Sequence, residues 1–207
     1  ASLLGVSEHV DVHGVGVCAG PVSGSRVLLY LRDTTDRALV MRPDPDRELE
    51  SFVDSSRATK FSCSGGMFFS YGCLFHWFSK MQRSVTLSSA EAEFFGTMLA
   101  AKEVIFIREL LIDLGFIIDA ASVIKCDSKS AVGMAFDPVA FKKTKHILRA
   151  AEFLRDLVAR DVVRLQHLPG KIMVADLLTK AVARALFASL MDLISRYAES
   201  GVACPST

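Results

Sequence analysis

The sequence predicts an α/β fold, a mixed five-stranded sheet with helices on its faces. Its segments follow in the order three strands, helix, strand, helices, strand, helix. Strands joined by a short turn pair antiparallel, and strands joined through a helix are normally parallel, so this order predicts a mixed sheet. Apolar residues make up 51% of the 207 residues, which excludes global disorder and suffices for a core.

The first part of the chain contains the three strand segments. Residues 1–24 are rich in Gly, Val and Ser and predict no clear element. Residues 25–41 predict a short helix, a polar turn and a short strand, and residues 44–46 predict a turn. The first strand of the sheet is predicted over residues 48–56. A very apolar hairpin follows over residues 64–80 and turns at a Tyr-Gly pair.

A long helix follows the hairpin. Ser88 and Glu91 have the spacing of a capping box, and Gly115 is the residue that ends the helix. The remaining segments are a buried strand over 122–127, a short helix over 128–136, an amphipathic helix over 145–161, a strand over 161–169 and a helical region over 174–197.

Composition narrows the function classes. Lys and Arg total 24 against 23 for Asp and Glu, so the net charge of +1 excludes a chain that is strongly basic as a whole. Nucleic-acid binding would therefore depend on a local basic patch. The five cysteines show no CxxC spacing, which favours reduced thiols over a zinc site or a disulfide framework. Reduced thiols are typical of an intracellular protein, and the sequence shows no signal peptide and no apolar run of transmembrane length, so no membrane partner is expected.

Several acids lie where a sheet fold brings chain segments together. Asp54 is near the end of the first strand, and Asp127 ends the buried strand where a helix begins. Carboxylates that converge at such a place hold hard divalent cations through oxygen ligands. The alternative for Asp127 is a helix N-cap, and for Asp176, at the start of the last helical region, an acid favoured by the helix dipole.

The long helix offers two glutamates, of which helical geometry favours one as a site residue. Glu91 and Glu93 differ by about 200° around the helix axis, so they cannot share a face. Steps of four and three residues from Glu93 give a nearly pure apolar stripe, which consists of Thr97, Ala100, Val104, Ile107 and Leu111. Glu93 is therefore predicted to enter a cleft at the end of the buried stripe, and Glu91 to cap the helix or face solvent.

Five consecutive motifs are similar to those of copia-type ribonuclease H. VTLSSAEAEFFGT resembles TxLSSxEAEYxA, and KCDSKSAVGMAFDPVAFKKTKHI resembles CDNxSAIxLAxNPxxHxRTKHI. HLPGKIMVADLLTK resembles VPTxxQxADxLTK, and SCSGGMFFSYGCLFHWFSKMQRSV resembles STSGYxFxLxGxxxSWxSKKQxxV. Upstream, VLLYLRDTTDRALVMRPDPDRELESFVDSS looks like the stretch that precedes them. The similarity covers about residues 26 to 182 in the same order, which makes it a specific signal.

The resemblance implies a ribonuclease H-like fold and a metal-dependent endonuclease that hydrolyses the RNA strand of RNA–DNA hybrids during reverse transcription. It places catalytic and metal-binding roles on Asp54, Glu93, Asp127 and Asp176. The implied cofactor is two Mg²⁺ ions, with Mn²⁺ as a substitute. The implied partners are the hybrid and the reverse transcriptase part of the same polyprotein.

Basic and polar residues complete the implied site. The nucleic-acid-binding residues predicted are Lys80, Gln82, Arg83, Ser128, Lys142, Lys143, Lys145, His146 and Lys180. The basic run at 142–146 has a solvated face as its alternative, although the family motif favours phosphate contact. Trp77 and the neighbouring Phe residues are predicted to lie in the core, and His167 is expected to be structural.

Departures from the family pattern keep a second function open. The second Asp and the Trp of the family's DADW are Ser56 and Arg57, and the Asn after the third acid is Ser128. Leu148 and Glu152 replace a further Asp and His. The alternatives are a catalytically lapsed fragment that acts as a nucleic-acid-binding or assembly module, or a structural subunit of an unrelated complex.

The resemblance also divides the chain. Residues 1–47 are predicted to be an N-terminal extension that includes a remnant of the connection to reverse transcriptase, and residues 48–182 the ribonuclease H-like domain. Residues 183–207 are predicted to form a C-terminal helix and tail. The implied location is cytoplasmic, in a retroelement particle, or nuclear.

Overall fold

The computed structural model describes residues 24–36, 38–39, 41–44, 47–57, 62–82, 86, 88–136 and 145–197. Its strands are β1 (Glu50–Ser56), β2 (Cys63–Ser70), β3 (Cys73–Met81), β4 (Ser122–Cys126) and β5 (Val163–His167). Its α-helices are α1 (Gly24–Asp33), α2 (Ser89–Asp113), α3 (Lys129–Phe136), α4 (Lys145–Ala159) and α5 (Arg184–Tyr197). Two short 3₁₀ helices, Gly170–Ile172 and Val174–Leu178, lie between β5 and α5.

The five strands form one mixed sheet in the order β3-β2-β1-β4-β5. The sequential pairs β1–β2 and β2–β3 are antiparallel, whereas β1–β4 and β4–β5 are parallel and their connections contain helices. Tyr71 and Gly72 both have positive φ, 51° and 77°, as a two-residue hairpin turn requires. The predicted fold class is confirmed.

Hydrophobic clusters cover both faces of the sheet. On one face, Val53, Phe68 and Ile124 pack with residues of α2 and α4, such as Val104 and Leu154. On the other face, the cluster contains Phe52, Met67, Phe69, Leu168, Met173 and Leu190. Because side chains alternate along a strand, neighbours in β1 enter different clusters. Asp54 therefore follows Phe52 on the face that carries the 3₁₀ helices.

The ends of the long helix match the sequence prediction. The Ser88 hydroxyl accepts a hydrogen bond from the backbone N–H of Glu91 at 3.1 Å, and Gly115 adopts φ 88° just beyond the helix. The predicted stripe from Thr97 through Ile107 is buried. The alternative in which Asp127 is the N-cap of α3 is wrong. The hydroxyl of Ser128 caps this helix, since it accepts a hydrogen bond from the backbone N–H of Ala131.

Three local expectations are wrong. A short strand was predicted at the end of residues 25–41, but the described residues 38, 39 and 41 are not in a strand. Trp77 is 54% exposed and Phe75 is 37% exposed, although both were expected in the core. Both lie on one face of the edge strand β3, whereas Phe78 lies on its other face and is buried beside α2. The third expectation was that the cysteines are reduced thiols. Cys63 is disulfide-bonded, while Cys73 and Cys126 are free thiols.

Within the part of the chain that the structure describes, no helix combines the length and apolar character needed to cross a membrane.

Gly96 lets α2 approach the sheet closely, and this predicts a measurable effect on stability. A Cβ at Gly96 would clash with the Ser55 hydroxyl and lie 3.3 Å from the Ser64 hydroxyl. Gly96→Ala is expected to lower the free energy of unfolding by roughly 1–2 kcal/mol, because overpacking outweighs the gain in helix propensity. Thermal denaturation measures this effect.

Gly133 in α3 provides the matched control, because a Cβ there meets nothing within 4 Å. Gly133→Ala should raise the free energy of unfolding by up to about 1 kcal/mol. A Gly96→Ala variant as stable as Gly133→Ala would show that the contact between α2 and β1 is looser than described.

Candidate metal centre

The two central parallel strands bring two of the predicted acids to one edge of the sheet. Val53 of β1 is in register with Cys126 of β4, so the next residues, Asp54 and Asp127, are neighbours at the carboxyl ends of these strands. Ligands of open α/β sheets bind at such an edge. Glu93 reaches the same place from the second turn of α2.

Three carboxylates converge there. One carboxylate oxygen from each of Asp54, Glu93 and Asp127 lies within 4.8 Å of the other two. Asp54 and Glu93 are only 2% and 8% exposed, and Asp127 is partly buried. Like charges so close together in a poorly solvated place repel each other, so the arrangement favours a bound cation or proton.

Glu93 is held at one oxygen, while the other oxygen is left without a partner. Its Oε1 accepts a hydrogen bond from the backbone N–H of Ser55 at 3.2 Å. Its Oε2 is buried and has no hydrogen-bond partner among the described residues. Burial raises the pKa of Glu93 to about 9, and the nearby charges of Asp54 and Asp127 add to the rise.

Asp127, the third acid, lies beside the imidazole ring of His167. Burial is the main cause that raises the pKa of Asp127, and the charge of Asp54 contributes further. A ring nitrogen of His167 lies 3.1 Å from the backbone carbonyl oxygen of Asp127. This contact places His167 beside the third acid and agrees with the structural role expected for it.

The fourth predicted acid, Asp176, lies next to the group of three and is linked to it by a lysine. The ammonium nitrogen of Lys180 is 2.8 Å from Oδ1 of Asp176 and 3.8 Å from Oδ2 of Asp54. Burial raises the pKa of Asp176 to about 6, although its contact with Lys180 opposes the rise. The structure therefore brings three acids into direct proximity and connects the fourth through Lys180.

Thr179 belongs to the site, although the sequence analysis did not single it out. It is fully buried, and its hydroxyl donates a hydrogen bond to Oδ2 of Asp54. Gly65 of β2 allows this approach, because a Cβ there would lie 2.8 Å from the methyl carbon of Thr179. The signal was present in the ADxLTK motif, where Thr179 directly precedes the lysine.

Removal of the Thr179 hydroxyl is expected to weaken metal binding. Thr179→Val should raise the dissociation constant for Mg²⁺ by about 10–100-fold, because the carboxylate of Asp54 loses the donor that orients it. Isothermal titration calorimetry on the full chain measures the constant. Thr179→Ser keeps the hydroxyl and should bind Mg²⁺ as the original chain does, and equal losses in both variants would contradict an orienting role.

The residues predicted to contact nucleic acid differ in how far their side chains are bound within the fold. Lys80 is exposed but forms an ion pair with Glu103 at 3.1 Å. The Gln82 amide donates to the hydroxyl of Ser64 and to the backbone carbonyl of Ala92, both at 2.8 Å. These bonds tie Gln82 to the fold near the start of α2. Its amide oxygen is buried and has no hydrogen-bond partner among the described residues, and nucleic-acid binding by Gln82 stays a prediction.

The other predicted contacts are placed as follows. The hydroxyl of Ser128 caps α3 and lies 2.9 Å from that of Ser130. Arg83, Lys142 and Lys143 lie outside the described residues, and of Lys145 and His146 only the position in the first turn of α4 is described. For these residues nucleic-acid binding stays a prediction.

The donor set fits a divalent cation of the Mg²⁺ class. All the converging ligand atoms are carboxylate oxygens, which hard cations prefer. The buried Oε2 of Glu93 lacks a partner that a cation would supply. Asp54, Glu93 and Asp127 are therefore the residues that could hold a metal.

Comparison with known proteins identifies relatives of one kind. No family model matches the chain. It is 30% identical over 83% of its length to the retrovirus-related Pol polyprotein of transposon TNT 1-94 from Nicotiana tabacum. It is 30% and 28% identical, over 78% and 82% of its length, to the corresponding polyproteins of transposons RE2 and RE1 from Arabidopsis thaliana. The chain spans about an eighth of these relatives, namely 13%, 11% and 12% of their lengths.

Solved structures with a related backbone are more distant. One is the N-terminal ribonuclease H domain of a Mycobacterium tuberculosis protein, with 14% identity, a TM-score of 0.47, and coverage of 73% of this chain and 98% of that chain. Another is ribonuclease H1 from Halobacterium salinarum, with 15% identity, a TM-score of 0.45, and coverage of 70% and 98%.

The relatives and the strand order agree with the resemblance that the motifs indicated. The matched region spans about four fifths of the chain. It therefore includes most of the sheet and the acidic edge, by which we mean the carboxyl edge of the sheet with Asp54, Glu93 and Asp127. Over most of its own length the chain is homologous to retrovirus-related Pol polyproteins of plant copia-type transposons, and its mixed five-stranded sheet with helices has the ribonuclease H-like fold.

Proposed function

We propose that the chain is a divalent-metal-dependent ribonuclease H that hydrolyses the RNA strand of RNA–DNA hybrids during retrotransposon reverse transcription. The observation that carries the proposal is the convergence of Asp54, Glu93 and Asp127 at the carboxyl edge of the sheet. The similarity to retrovirus-related Pol polyproteins supports it, since the resemblance implies a role in reverse transcription, which produces RNA–DNA hybrids.

The roles of the acids follow from their positions. Asp54, Glu93 and Asp127 would hold the metal, and Asp176 would join them on the side of Lys180. When bound, Mg²⁺ supplies activation of the attacking water and stabilisation of the leaving oxygen of a phosphodiester. The chain orients its ligands through the N–H of Ser55 on Glu93 and the hydroxyl of Thr179 on Asp54.

The proposed substrate is a hybrid read by shape. Recognition would rest on the minor groove and the RNA 2′-hydroxyl groups, which distinguish RNA from DNA. Lys80, Lys180 and the run at 142–146 would contact phosphates and position the duplex without reading its sequence. The proposed products end in a 3′-hydroxyl and a 5′-phosphate, as the family resemblance implies.

The proposed partner within the polyprotein is the reverse transcriptase part. The chain corresponds to about an eighth of its relatives, so the remainder of such a polyprotein would deliver the hybrid. We place this activity in an intracellular retroelement particle, in the cytoplasm or the nucleus.

A strand-specific cleavage assay tests the proposed function. The full chain is incubated with a hybrid labelled on either the RNA or the DNA strand, in Mg²⁺ and, separately, in EDTA. We expect cuts only in the RNA strand and only with Mg²⁺, and no cleavage of duplex DNA. Binding of the hybrid without cleavage in Mg²⁺ would contradict the proposal and favour the lapsed nucleic-acid-binding module.

A further inference from the structure

Lys180 is an unusual neighbour for a metal centre. Its ammonium nitrogen contacts carboxylate oxygens of two different acids, Asp176 at 2.8 Å and Asp54 at 3.8 Å. The side chain is 41% exposed, while the acids it contacts are nearly buried. The lysine therefore reaches the acidic edge from solvent.

The ammonium group of Lys180 lies between Asp54 and Asp176, where the second of the two implied divalent cations would be expected. Asp54, Glu93 and Asp127 can share one cation, but Asp176 is outside that group and is paired with Lys180. The ammonium nitrogen of Lys180 lies within ion-pair distance of both Asp176 and Asp54, so two carboxylates compensate its positive charge. A cation that binds between Asp54 and Asp176 must displace this ammonium group.

We propose that Lys180 competes with the second divalent cation: its ammonium group occupies the position between Asp54 and Asp176 until the substrate phosphate draws it away. This inference rests on the proposed metal centre and adds an order of events to it. The free protein binds one divalent cation through the group of three acids. Binding of the second cation requires Lys180 to leave Asp176.

The flexibility of lysine makes this exchange physically reasonable. The Lys180 side chain is long, unbranched and partly exposed, so its ammonium group can exchange a carboxylate for a phosphate oxygen without movement of the backbone. The Thr179 hydroxyl donates a hydrogen bond to the carboxylate of Asp54 and keeps that carboxylate oriented. Asp54 therefore stays in place while the lysine moves.

Calorimetric titration with Mn²⁺ on the full chain, without nucleic acid, tests the proposal. The original chain should bind one ion. Lys180→Met removes the charge with little change in side-chain length, and it should bind two ions. Any residual second-site binding by the original chain should be at least about tenfold weaker than that of Lys180→Met, because the variant lacks a unit charge 3.8 Å from a ligand oxygen of Asp54, screened by water.

Lys171→Met is the matched control. Lys171 is an exposed lysine in the adjacent 3₁₀ helix, and its replacement changes the net charge by the same amount. It should bind one ion, as the original chain does. Lys180→Gln should repeat the result of Lys180→Met, and circular dichroism spectra confirm that both variants are folded.

Two failures are distinguishable. One ion of unchanged affinity in both Lys180 variants, with binding lost in Asp54→Asn, would overturn the competition and leave the metal centre standing. Absence of Mn²⁺ binding in the original chain and in the Lys180 variants would overturn the metal centre and the competition together.

Discussion

Glu93→Gln is expected to abolish Mg²⁺-dependent cleavage of the RNA strand. The substitution removes one of three converging carboxylates but keeps the size of the side chain. The loss is expected to be at least about 100-fold in kcat, since a metal contributes several kcal/mol of charge stabilisation in the transition state. Because the pKa of Glu93 is raised to about 9 in the metal-free protein, glutamine resembles the protonated form and should not harm the fold.

Glu91→Gln separates the role of Glu93 from a general effect of charge on α2. Glu91 is two residues away in the first turn, and its backbone N–H is bonded to the N-cap Ser88. Its carboxylate is not in the group of three. Cleavage by Glu91→Gln should stay within a few-fold of the original chain, and loss of cleavage in Glu91→Gln but not in Glu93→Gln would show that the wrong acid was assigned.

Mg²⁺ is expected to raise the melting temperature, and Asp54→Asn to remove that effect. A ligand at about 100 times its dissociation constant stabilises the folded state by about 2.7 kcal/mol. For a chain of this size, that corresponds to roughly 5–11 °C. Differential scanning calorimetry in EDTA and in excess Mg²⁺ measures the shift. Na⁺ at the same ionic strength is the control for screening.

Asp54→Asn should also be more stable than the original chain in EDTA. It removes a buried negative charge from the group of three acids, while the amide keeps an oxygen that can accept the Thr179 hydrogen bond. We expect an increase of a few degrees in EDTA and little further change with Mg²⁺. A Mg²⁺ shift in Asp54→Asn equal to that of the original chain would place the stabilising ion elsewhere.

The fold was predictable because its signals are local. Ser88 and Gly115 mark the ends of α2, and the Tyr71–Gly72 pair marks the hairpin turn. The position of Glu93 followed from helical periodicity alone, since the stripe that it continues packs against the sheet. The exposure of Trp77 was not predictable in this way, because apolar character does not tell which face of an edge strand a helix covers.

The convergence of the acids and the role of their neighbours required the three-dimensional structure. The distance between Asp54 and Asp127 depends on the parallel register of β1 and β4, which the sequence does not specify. Thr179 and Lys180 act on Asp54 across 125 and 126 positions of the chain. The sequence pointed to Lys180 as a phosphate contact, but its pairing with Asp176 comes from the shape of the 3₁₀ segment.

Diffraction from a crystal of the chain soaked in Mn²⁺ tests the metal centre most directly. An anomalous difference map should show a peak coordinated by carboxylate oxygens of Asp54, Glu93 and Asp127. The same soak of a Glu93→Gln crystal should give a much weaker peak. An ordered acidic edge without anomalous density at a saturating Mn²⁺ concentration would contradict the assignment of these three carboxylates to a metal.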